Sequence, residues 1–233
     1  MKISVVIPTY NEKENILDLV SEINTELSKK QYDFEIIVVD DDSPDKGGYF
    51  AKKKFANNKR VKIFIRKTDK GLSKSIRYGM QRATGDILVG MDSDFNHPPQ
   101  IIPKLIAKIG KNDLVVAQRK AMKGNIRYPF TFSFNLLLNK ILGFPVMDNM
   151  SGFYAIKKEV LRKLNFDHVY RGYGEYHLRM LMGVKRNRGK IAQVPYISPD
   201  RRYGKSKSNL IKMLVNYIGI SIKLALNIGD EKV

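Results

Sequence analysis

Short runs rich in Val and Ile alternate with longer amphipathic stretches along the first half of the chain. The apolar runs occupy residues 3–7, 34–39, 61–65, 86–91 and 114–117. They are too short for helices and carry no alternating polar residues, which is typical of strands buried on both faces. Helical periodicity marks the stretches between them, at residues 12–27, 48–56, 72–82 and 99–109. This order predicts an α/β fold, with a mostly parallel sheet and helices on both of its faces.

The length of 233 residues suits one α/β domain, and no repeat or linker divides the chain. We expect Asn11 to cap the first helix, with Glu12 and Glu14 in its first turn. The N-terminal residues are interrupted too early for a signal peptide and predict a first strand instead. Beyond residue 121 the pattern is less regular, although it predicts a helix near residues 176–184 and a strand near 190–196.

The formal net charge of +19 suggests an anionic partner. Between Lys46 and Arg82 there are 13 basic residues and a single acid, Asp69, and a second basic stretch covers residues 185–212. Nucleic acid, an anionic membrane surface and phosphorylated substrates all fit such a surface, and so does a merely solvated face. The chain has no cysteine, which excludes disulfides, thiolate metal sites and a cysteine nucleophile.

Acidic side chains cluster at the predicted carboxyl ends of three strands, where ligands bind in parallel sheets. Glu12 follows the first strand, Asp40 to Asp42 follow the second, and Asp92 and Asp94 follow the fourth. Asp92 and Asp94 are two residues apart, so in an extended segment both carboxylates face one hard cation such as Mg²⁺ or Mn²⁺. The alternative interpretation is a capped loop before the next helix. In the aspartate triplet, alternation directs Asp41 away from its neighbours, which leaves one face for a base or ribose and the other for capping a turn.

Several motifs resemble glycosyltransferase family 2, and within it the dolichol-phosphate mannose synthases. The resemblance covers about residues 1–215, with the motifs in the family's order. The N-terminal part contributes VVIPTYNE at 5–12, VVDDDSPD at 38–45, KGLS at 70–73 and MDSD at 91–94. The later part contributes HPP at 97–99, SGF at 151–153 and RRYGKSK at 201–207.

The resemblance implies a GT-A fold with a Rossmann-like nucleotide-binding half. It also implies inverting transfer of mannose from GDP-mannose to dolichyl or another polyprenyl phosphate, for glycan and glycoprotein synthesis. By position in the motifs, the residues that would bind the nucleotide sugar are Pro8, Tyr10, Glu12, Val39, Asp41, Asp92 and Ser93. The metal, Mg²⁺ or Mn²⁺, would be held by Asp92, Asp94 and Asn96. The catalytic residues would be Asp92, Asp94, Arg119 and Arg201, and the acceptor phosphate would contact Arg119, Arg127, Ser206 and Lys207.

The chain departs from the family pattern at three places. Asn96 stands where the family usually has Gln, and the basic residue usual near positions 130–135 is missing, for which Arg127 is the substitute we consider. Glu175 is acidic where the family is often basic. These departures concern the sugar and the acceptor more than the fold.

The last 25 residues, 209–233, are predicted to form an amphipathic helix after a catalytic domain at 1–208. Lys212, Asn216, Lys223 and Asn227 fall on one narrow stripe, and the remaining face is apolar. Such a helix either lies in a membrane interface or packs on the core of its own domain. We therefore expect a peripheral enzyme at the cytoplasmic face of a membrane, and a separate membrane-anchoring subunit is a candidate partner.

Other functions remain open at this point. Within the transferases, the donor is another sugar nucleotide such as UDP-glucose, or the acceptor is a saccharide. A non-catalytic lipid-binding or nucleic-acid-binding protein is the alternative outside them. We expect no nucleic acid partner, because the acidic strand ends would repel phosphates and no helix-turn-helix or zinc-finger pattern is present.

Overall fold

The computed structural model describes residues 1–120, 127–199, 201–203 and 210–228 of the chain. These residues form one seven-stranded sheet flanked by helices. The strands are β1 Lys2–Thr9, β2 Asp33–Asp40, β3 Val61–Ile65, β4 Ile87–Gly90, β5 Leu114–Lys120, β6 Tyr154–Lys157 and β7 Ile191–Ile197. The helices are α1 Lys13–Lys29, α2 Gly47–Lys54, α3 Leu72–Arg82, α4 Ile102–Ile109, α5 Arg127–Leu142, α6 Lys158–Arg162, α7 Phe166–Val169, α8 Tyr176–Arg186 and α9 Leu210–Leu226. A 3₁₀ turn at Pro99–Ile101 leads into α4.

The sheet has the strand order β3-β2-β1-β4-β6-β5-β7, in which β6 alone is antiparallel to its neighbours. The carboxyl ends of β1, β2, β4, β5 and β7 therefore meet at one edge. Because β6 has the opposite direction, its first residue lies at this same edge, opposite Gly90 and Val116. The loop that precedes β6 is thus brought to the edge where the acidic clusters lie.

The two faces of the sheet are buried under different helices. On β1, Val5 and Ile7 face the apolar residues of α1 and α4, whereas Val6 faces those of α3, α5 and α8. Both sets are excluded from solvent, which explains why the strands are continuous apolar runs without polar alternation. The predicted sheet with helices on both faces is confirmed.

Two local expectations are wrong. Helix α1 begins at Lys13, and Glu12 rather than Asn11 occupies its cap position, without a side-chain capping bond. Asn11 adopts a left-handed backbone conformation, with φ 55°, and its N–H donates to Ser43 Oγ at 3.0 Å, which joins the first and second strand ends. Strand β3 is only half-buried, because in the described sheet it is an edge strand paired with β2 alone.

Helix α9 has a buried face and an exposed apolar face in addition to the predicted polar stripe. Tyr217, Ser221 and Leu224 are buried against the domain, and Leu224 O accepts a 2.6 Å hydrogen bond from Arg186 of α8. On the opposite face Val215 and Leu226 are more than 60% exposed. The predicted apolar face is therefore divided between packing on the domain and exposure to solvent. Within the described residues, no helix is both long enough and apolar enough to span a bilayer.

Close packing of α3 on the sheet gives a stability prediction. A Cβ added at Gly79 would lie 2.4 Å from Val6 Cγ1 and 3.2 Å from Val39 Cγ2, both on stiff β-branched side chains. We expect Gly79→Ala to lower the free energy of unfolding by about 1–3 kcal/mol through overpacking. Gly219→Ala on α9 is the matched control, because nothing lies within 4 Å of its added Cβ. It should raise stability by about 0.5–1 kcal/mol.

Urea unfolding followed by circular dichroism measures both variants. Equal stability of Gly79→Ala and the wild type would contradict the described packing of α3 on β1.

Candidate active site

An open cavity of about 540 Å³ lies at the carboxyl edge of the sheet. Its volume is within the range of small-molecule sites. It is lined by residues that follow β1, β2 and β4, by the loop before β6, and by parts of α3, α8 and α9. Among the residues predicted from sequence, those that line it are Pro8, Tyr10, Glu12, Asp41, Asp92, Ser93, Asp94 and Arg201.

His97 holds the backbone of Asp92 in place. The Asp92 N–H donates to His97 Nδ1 at 2.9 Å, and the ring stacks on Phe153 with centroids 4.9 Å apart. Burial lowers the pKa of His97 to about 4, so the ring is neutral near pH 7. Since Nδ1 accepts a hydrogen bond, Nε2 carries the proton, and it lies 3.7 Å from Asp92 Oδ2. His97 therefore orients Asp92 without neutralising its charge.

Arg201 joins two of the acidic clusters. Its Nη1 donates to Glu12 Oε1 at 3.0 Å and its Nη2 donates to Asp94 Oδ2 at 2.6 Å. Burial raises the pKa of Asp94, and repulsion from the nearby Asp92 raises it further. Burial also raises the pKa of Asp92. A cation near these carboxylates stabilises their ionised forms. In this structure the guanidinium of Arg201 is such a cation.

Asp41 is held in a fixed orientation by three groups. Its Oδ2 accepts from the Gly71 N–H at 2.6 Å, and its Oδ1 accepts from Ser75 Oγ at 2.7 Å and lies 3.4 Å from Arg66 Nε. Gly71 has a φ of 138°, a conformation that favours glycine, and it positions its N–H at the start of α3. Asp40 faces away and accepts from the N–H and Oγ of Ser43, as the alternation predicts.

Arg119 forms a two-pronged ion pair with Asp148. Nε donates to Oδ2 at 2.7 Å and Nη2 donates to Oδ1 at 2.9 Å, and the Arg119 N–H also donates to Oδ2. Burial opposes both charges, but the pairing outweighs it, so the pKa of Asp148 is lowered and that of Arg119 is raised. Arg119 lies within β5 rather than after it, and it is absent from the cavity lining.

The far side of the cavity is aromatic. Tyr173, Tyr176, His177 and Tyr217 line it together with Gly152. A Cβ added at Gly152 would lie 2.9 Å from the Tyr176 hydroxyl and 3.6 Å from Asp92 Oδ1. Gly152 therefore keeps open the space between the acidic and the aromatic sides.

Glu175 has a structural place next to this aromatic side. It is buried, and its Oε2 accepts from the Tyr173 N–H at 2.7 Å, which holds the loop at residues 172–174. Ser73 Oγ of α3 donates to the Tyr173 carbonyl and fixes the same loop from the other direction. The acidic residue at position 175 thus stabilises the wall of the cavity.

The remaining predicted site residues lie elsewhere. The Val39 side chain packs in the core against α3, and only its backbone can border a nucleotide. Asn96 is not part of the cavity lining, and its Nδ2 donates to Asp94 Oδ2 at 3.1 Å. Arg127 begins α5, but its side chain is outside the described part, as are Ser206 and Lys207 entirely.

Comparison with known proteins identifies the family of this site. The sequence profile of glycosyl transferase family 2 matches residues 4–165 of this chain. These residues include the strand ends that carry the acids. The chain belongs to glycosyltransferase family 2. The resemblance inferred from the motifs is therefore confirmed, and the protein is a member of a glycosyltransferase family.

Two relatives of this chain are mannosyltransferases by name. The chain is 35% identical over 216 residues to a dolichol-phosphate mannosyltransferase of Pyrococcus furiosus, an alignment that covers 89% of the chain and 59% of the relative. It is 29% identical over 218 residues to an undecaprenyl-phosphate mannosyltransferase of Micrococcus luteus, covering 89% of the chain and 87% of the relative. The chain thus spans about three fifths of the length of the first relative.

A solved structure of a similar protein supports the fold. Glucosyl-3-phosphoglycerate synthase of Mycobacterium tuberculosis, in complex with Mn²⁺, uridine diphosphate and phosphoglyceric acid, has a TM-score of 0.75 and 25% sequence identity. The match covers 98% of this chain and 79% of the neighbour. The family 2 domain has the GT-A fold predicted from the motifs.

The ion pair between Arg119 and Asp148 leads to a prediction about the stability of the domain. Asp148→Ala would leave Arg119, whose side chain is 31% exposed, without its carboxylate partner, and we expect a loss of about 1–3 kcal/mol in the free energy of unfolding. The control is Asp167→Ala, which breaks an ion pair with Arg77 in which the aspartate is 77% exposed. That change should cost less than about 1 kcal/mol. Urea unfolding of both variants measures the difference, and equal losses would contradict the structural importance of the buried pair.

Proposed function

We propose that this family 2 protein transfers mannose from GDP-mannose to dolichyl or another polyprenyl phosphate, with inversion at the anomeric carbon. The observation that carries the proposal is the meeting of Glu12, Asp41, Asp92 and Asp94, from three strand ends, in one cavity with Arg201. The relatives in Pyrococcus furiosus and Micrococcus luteus, which are named for mannosyl transfer on dolichol phosphate and undecaprenyl phosphate, support the choice of sugar and acceptor.

We assign the nucleotide to the part of the cavity at the carboxyl ends of β1 and β2. Tyr10 is exposed and lines the cavity beside Pro8, and an aromatic ring in this position suits stacking on a base. Asp41 has a lone pair on Oδ2 beyond the bond from Gly71, which suits a base N–H donor. Ser93 and the backbone of Val39 complete this assignment.

Asp92 and Asp94 are the residues that would hold a divalent cation, with Asn96 orienting Asp94. The donor set fits Mg²⁺ or Mn²⁺, because these ions take few protein carboxylates and complete their shell with phosphate oxygens and water. Burial raises the pKa of both aspartates, and a divalent cation would stabilise their ionised forms. Such an ion, when bound, neutralises the charge that develops on the diphosphate leaving group. The glucosyl-3-phosphoglycerate synthase complex contains Mn²⁺ together with uridine diphosphate, which supports a divalent cation as the partner of the donor diphosphate.

Arg201 is assigned to the donor diphosphate. Its guanidinium already lies between Glu12 and Asp94, and its planar donors suit phosphate oxygens as well as carboxylates. Arg119, fixed by Asp148, is assigned to the acceptor phosphate together with Arg127, Ser206 and Lys207. These groups would align an acceptor that is already an anion and needs no general base.

The bond changes follow from this arrangement. A phosphate oxygen of the lipid forms a bond to the anomeric carbon of mannose, while the bond from that carbon to the diphosphate oxygen breaks. GDP leaves with the electron pair, and the product is β-linked because attack occurs opposite the leaving group. No proton has to be removed from the acceptor.

A transfer assay with matched variants tests the proposal. We expect radiolabel from GDP-mannose to pass into organic solvent with polyprenyl phosphate, to stop when EDTA is added, and to fall about 100-fold or more in Asp94→Asn. Asp18→Asn, an exposed change on α1, should transfer normally. Full activity in EDTA would contradict the metal site, and transfer from UDP-glucose instead of GDP-mannose would contradict the proposed donor.

A UDP-sugar donor is the second candidate. The glucosyl-3-phosphoglycerate synthase structure contains uridine diphosphate, and its name indicates a phosphate-bearing acceptor. Under this alternative the same acids and the same Arg201 serve a different base and sugar.

Attachment to a membrane is assigned to α5 and α9, with the catalytic domain proposed to cover residues 1–208 and the terminal segment, which contains α9, to cover residues 209–233. The two helices pack together, and both expose large apolar side chains, namely Phe132, Leu136 and Leu137 on α5 and Val215, Ile222 and Leu226 on α9. Such a surface, in a chain of net charge +19, suits the interface of an anionic bilayer. We place the enzyme at the cytoplasmic face, with or without a separate anchoring subunit.

Flotation with anionic liposomes tests this attachment. We expect Leu136→Glu combined with Leu226→Glu to reduce the bound fraction strongly, because each change puts a charge into the apolar surface. Phe50→Glu on α2 is the control, since Phe50 is also an exposed large apolar residue but lies away from α5 and α9. Equal flotation of the double variant and the wild type would contradict the assignment.

A further inference from the structure

A buried histidine lines the aromatic side of the cavity. His177 is the second residue of α8 and is only 1% exposed, yet it borders the cavity. Within the described residues, neither Nδ1 nor Nε2 has a hydrogen-bond partner. Buried polar groups are nearly always satisfied in folded proteins, so a histidine with two unsatisfied nitrogens beside an open cavity indicates a missing ligand.

The rings around His177 are apolar in character. Tyr154 lies 5.6 Å from it and Tyr176 lies 6.2 Å from it, measured between ring centroids. Tyr217 and Met150 line the same side of the cavity. Ligand sites of this kind, in which aromatic walls surround a few polar groups, bind molecules that are partly apolar and carry a small number of hydrogen-bonding groups.

The ring of His177 is neutral near pH 7. Burial lowers its pKa to about 4, the charge of Asp148 opposes this shift, and the charge of Arg119 favours it. A neutral imidazole has one N–H donor and one acceptor nitrogen. A sugar hydroxyl also donates and accepts, and therefore matches this ring better than a phosphate does.

The position of Gly152 connects this histidine side to the acids. A Cβ at Gly152 would stand within 4 Å of both the Tyr176 hydroxyl and Asp92 Oδ1. A diphosphate held near Asp92 and Asp94 would therefore direct its attached sugar across Gly152 towards Tyr176 and its neighbour His177.

We propose that His177 binds a hydroxyl group of the donor sugar and helps to select that sugar. This inference rests on the proposed function, since it requires a sugar nucleotide in the cavity. Sites built to hydrogen-bond a substrate hydroxyl discriminate strongly against analogues that lack it, because their own polar groups are then left unpaired. His177 would act on the choice of sugar, and Asp41 on the choice of base.

Direct binding without acceptor tests the proposal. Isothermal titration with Mn²⁺ present compares GDP-mannose with GDP, and UDP-glucose with UDP, on the wild type, His177→Phe and His177→Gln. Phe keeps the shape of the ring without its nitrogens, whereas Gln restores one donor and one acceptor. We expect His177→Phe to weaken binding of the preferred sugar nucleotide tenfold or more, with binding of the nucleoside diphosphate unchanged, and His177→Gln to recover part of the loss.

Two further measurements separate hydroxyl recognition from a structural role. Deoxy analogues of the preferred sugar should include one whose weaker binding to the wild type disappears in His177→Phe, which identifies the hydroxyl. The melting temperature of His177→Phe should not fall, because the change removes unsatisfied buried nitrogens. His168→Phe, at a buried histidine that is not part of the cavity lining, should leave the selectivity unchanged.

The outcomes distinguish this inference from the proposed function. A wild type that binds neither sugar nucleotide contradicts both. A wild type that binds a sugar nucleotide, together with a His177→Phe variant of the same affinity or one that loses nucleoside diphosphate equally, contradicts the role of His177 alone.

Discussion

Repulsion among carboxylates is the constraint on which the rest of this site depends. The parallel strands bring Glu12, Asp92 and Asp94 to one edge of the sheet, where burial raises the pKa of both aspartates. Arg201 offsets part of that repulsion through bonds to Glu12 and Asp94. A group of acids held in this way lowers the free energy of unfolding unless a cation is present. The cluster therefore provides a binding position for a cation.

The two sides of the cavity have opposite chemistry, and this division matches the parts of a sugar nucleotide. Acids and Arg201 lie on the side that would hold a diphosphate, whereas tyrosines and the neutral His177 lie on the other. Gly152 separates them without filling the space between. Membership in glycosyltransferase family 2 gives this division a function, because the reaction breaks the bond at the junction of the two parts.

The sheet and the acidic edge could be predicted from sequence because their signals are local. Strand runs and the spacing of Asp92 and Asp94 are visible within a few residues. The contacts that hold the site are not local: Arg201 is 189 residues from Glu12, and Arg119 is 29 residues from Asp148. Asp148 lies in an irregular segment that has no periodic signal. Asn11 does not cap α1, because its tertiary hydrogen bond to Ser43 outweighs the local preference of asparagine for the cap position. The position of His177 has no signal in the sequence, because burial beside a cavity is a property of the fold alone.

We propose that the acids at the strand ends bind a divalent cation together with a nucleoside diphosphate. Electron paramagnetic resonance of Mn²⁺ tests it directly, with ¹⁷O placed in the terminal phosphate of GDP or UDP. We expect one bound ion per chain, a signal broadened by ¹⁷O, and loss of that signal in Asp92→Asn and Asp94→Asn. Mn²⁺ that binds equally well to these variants, or a signal that ¹⁷O does not broaden, would contradict it.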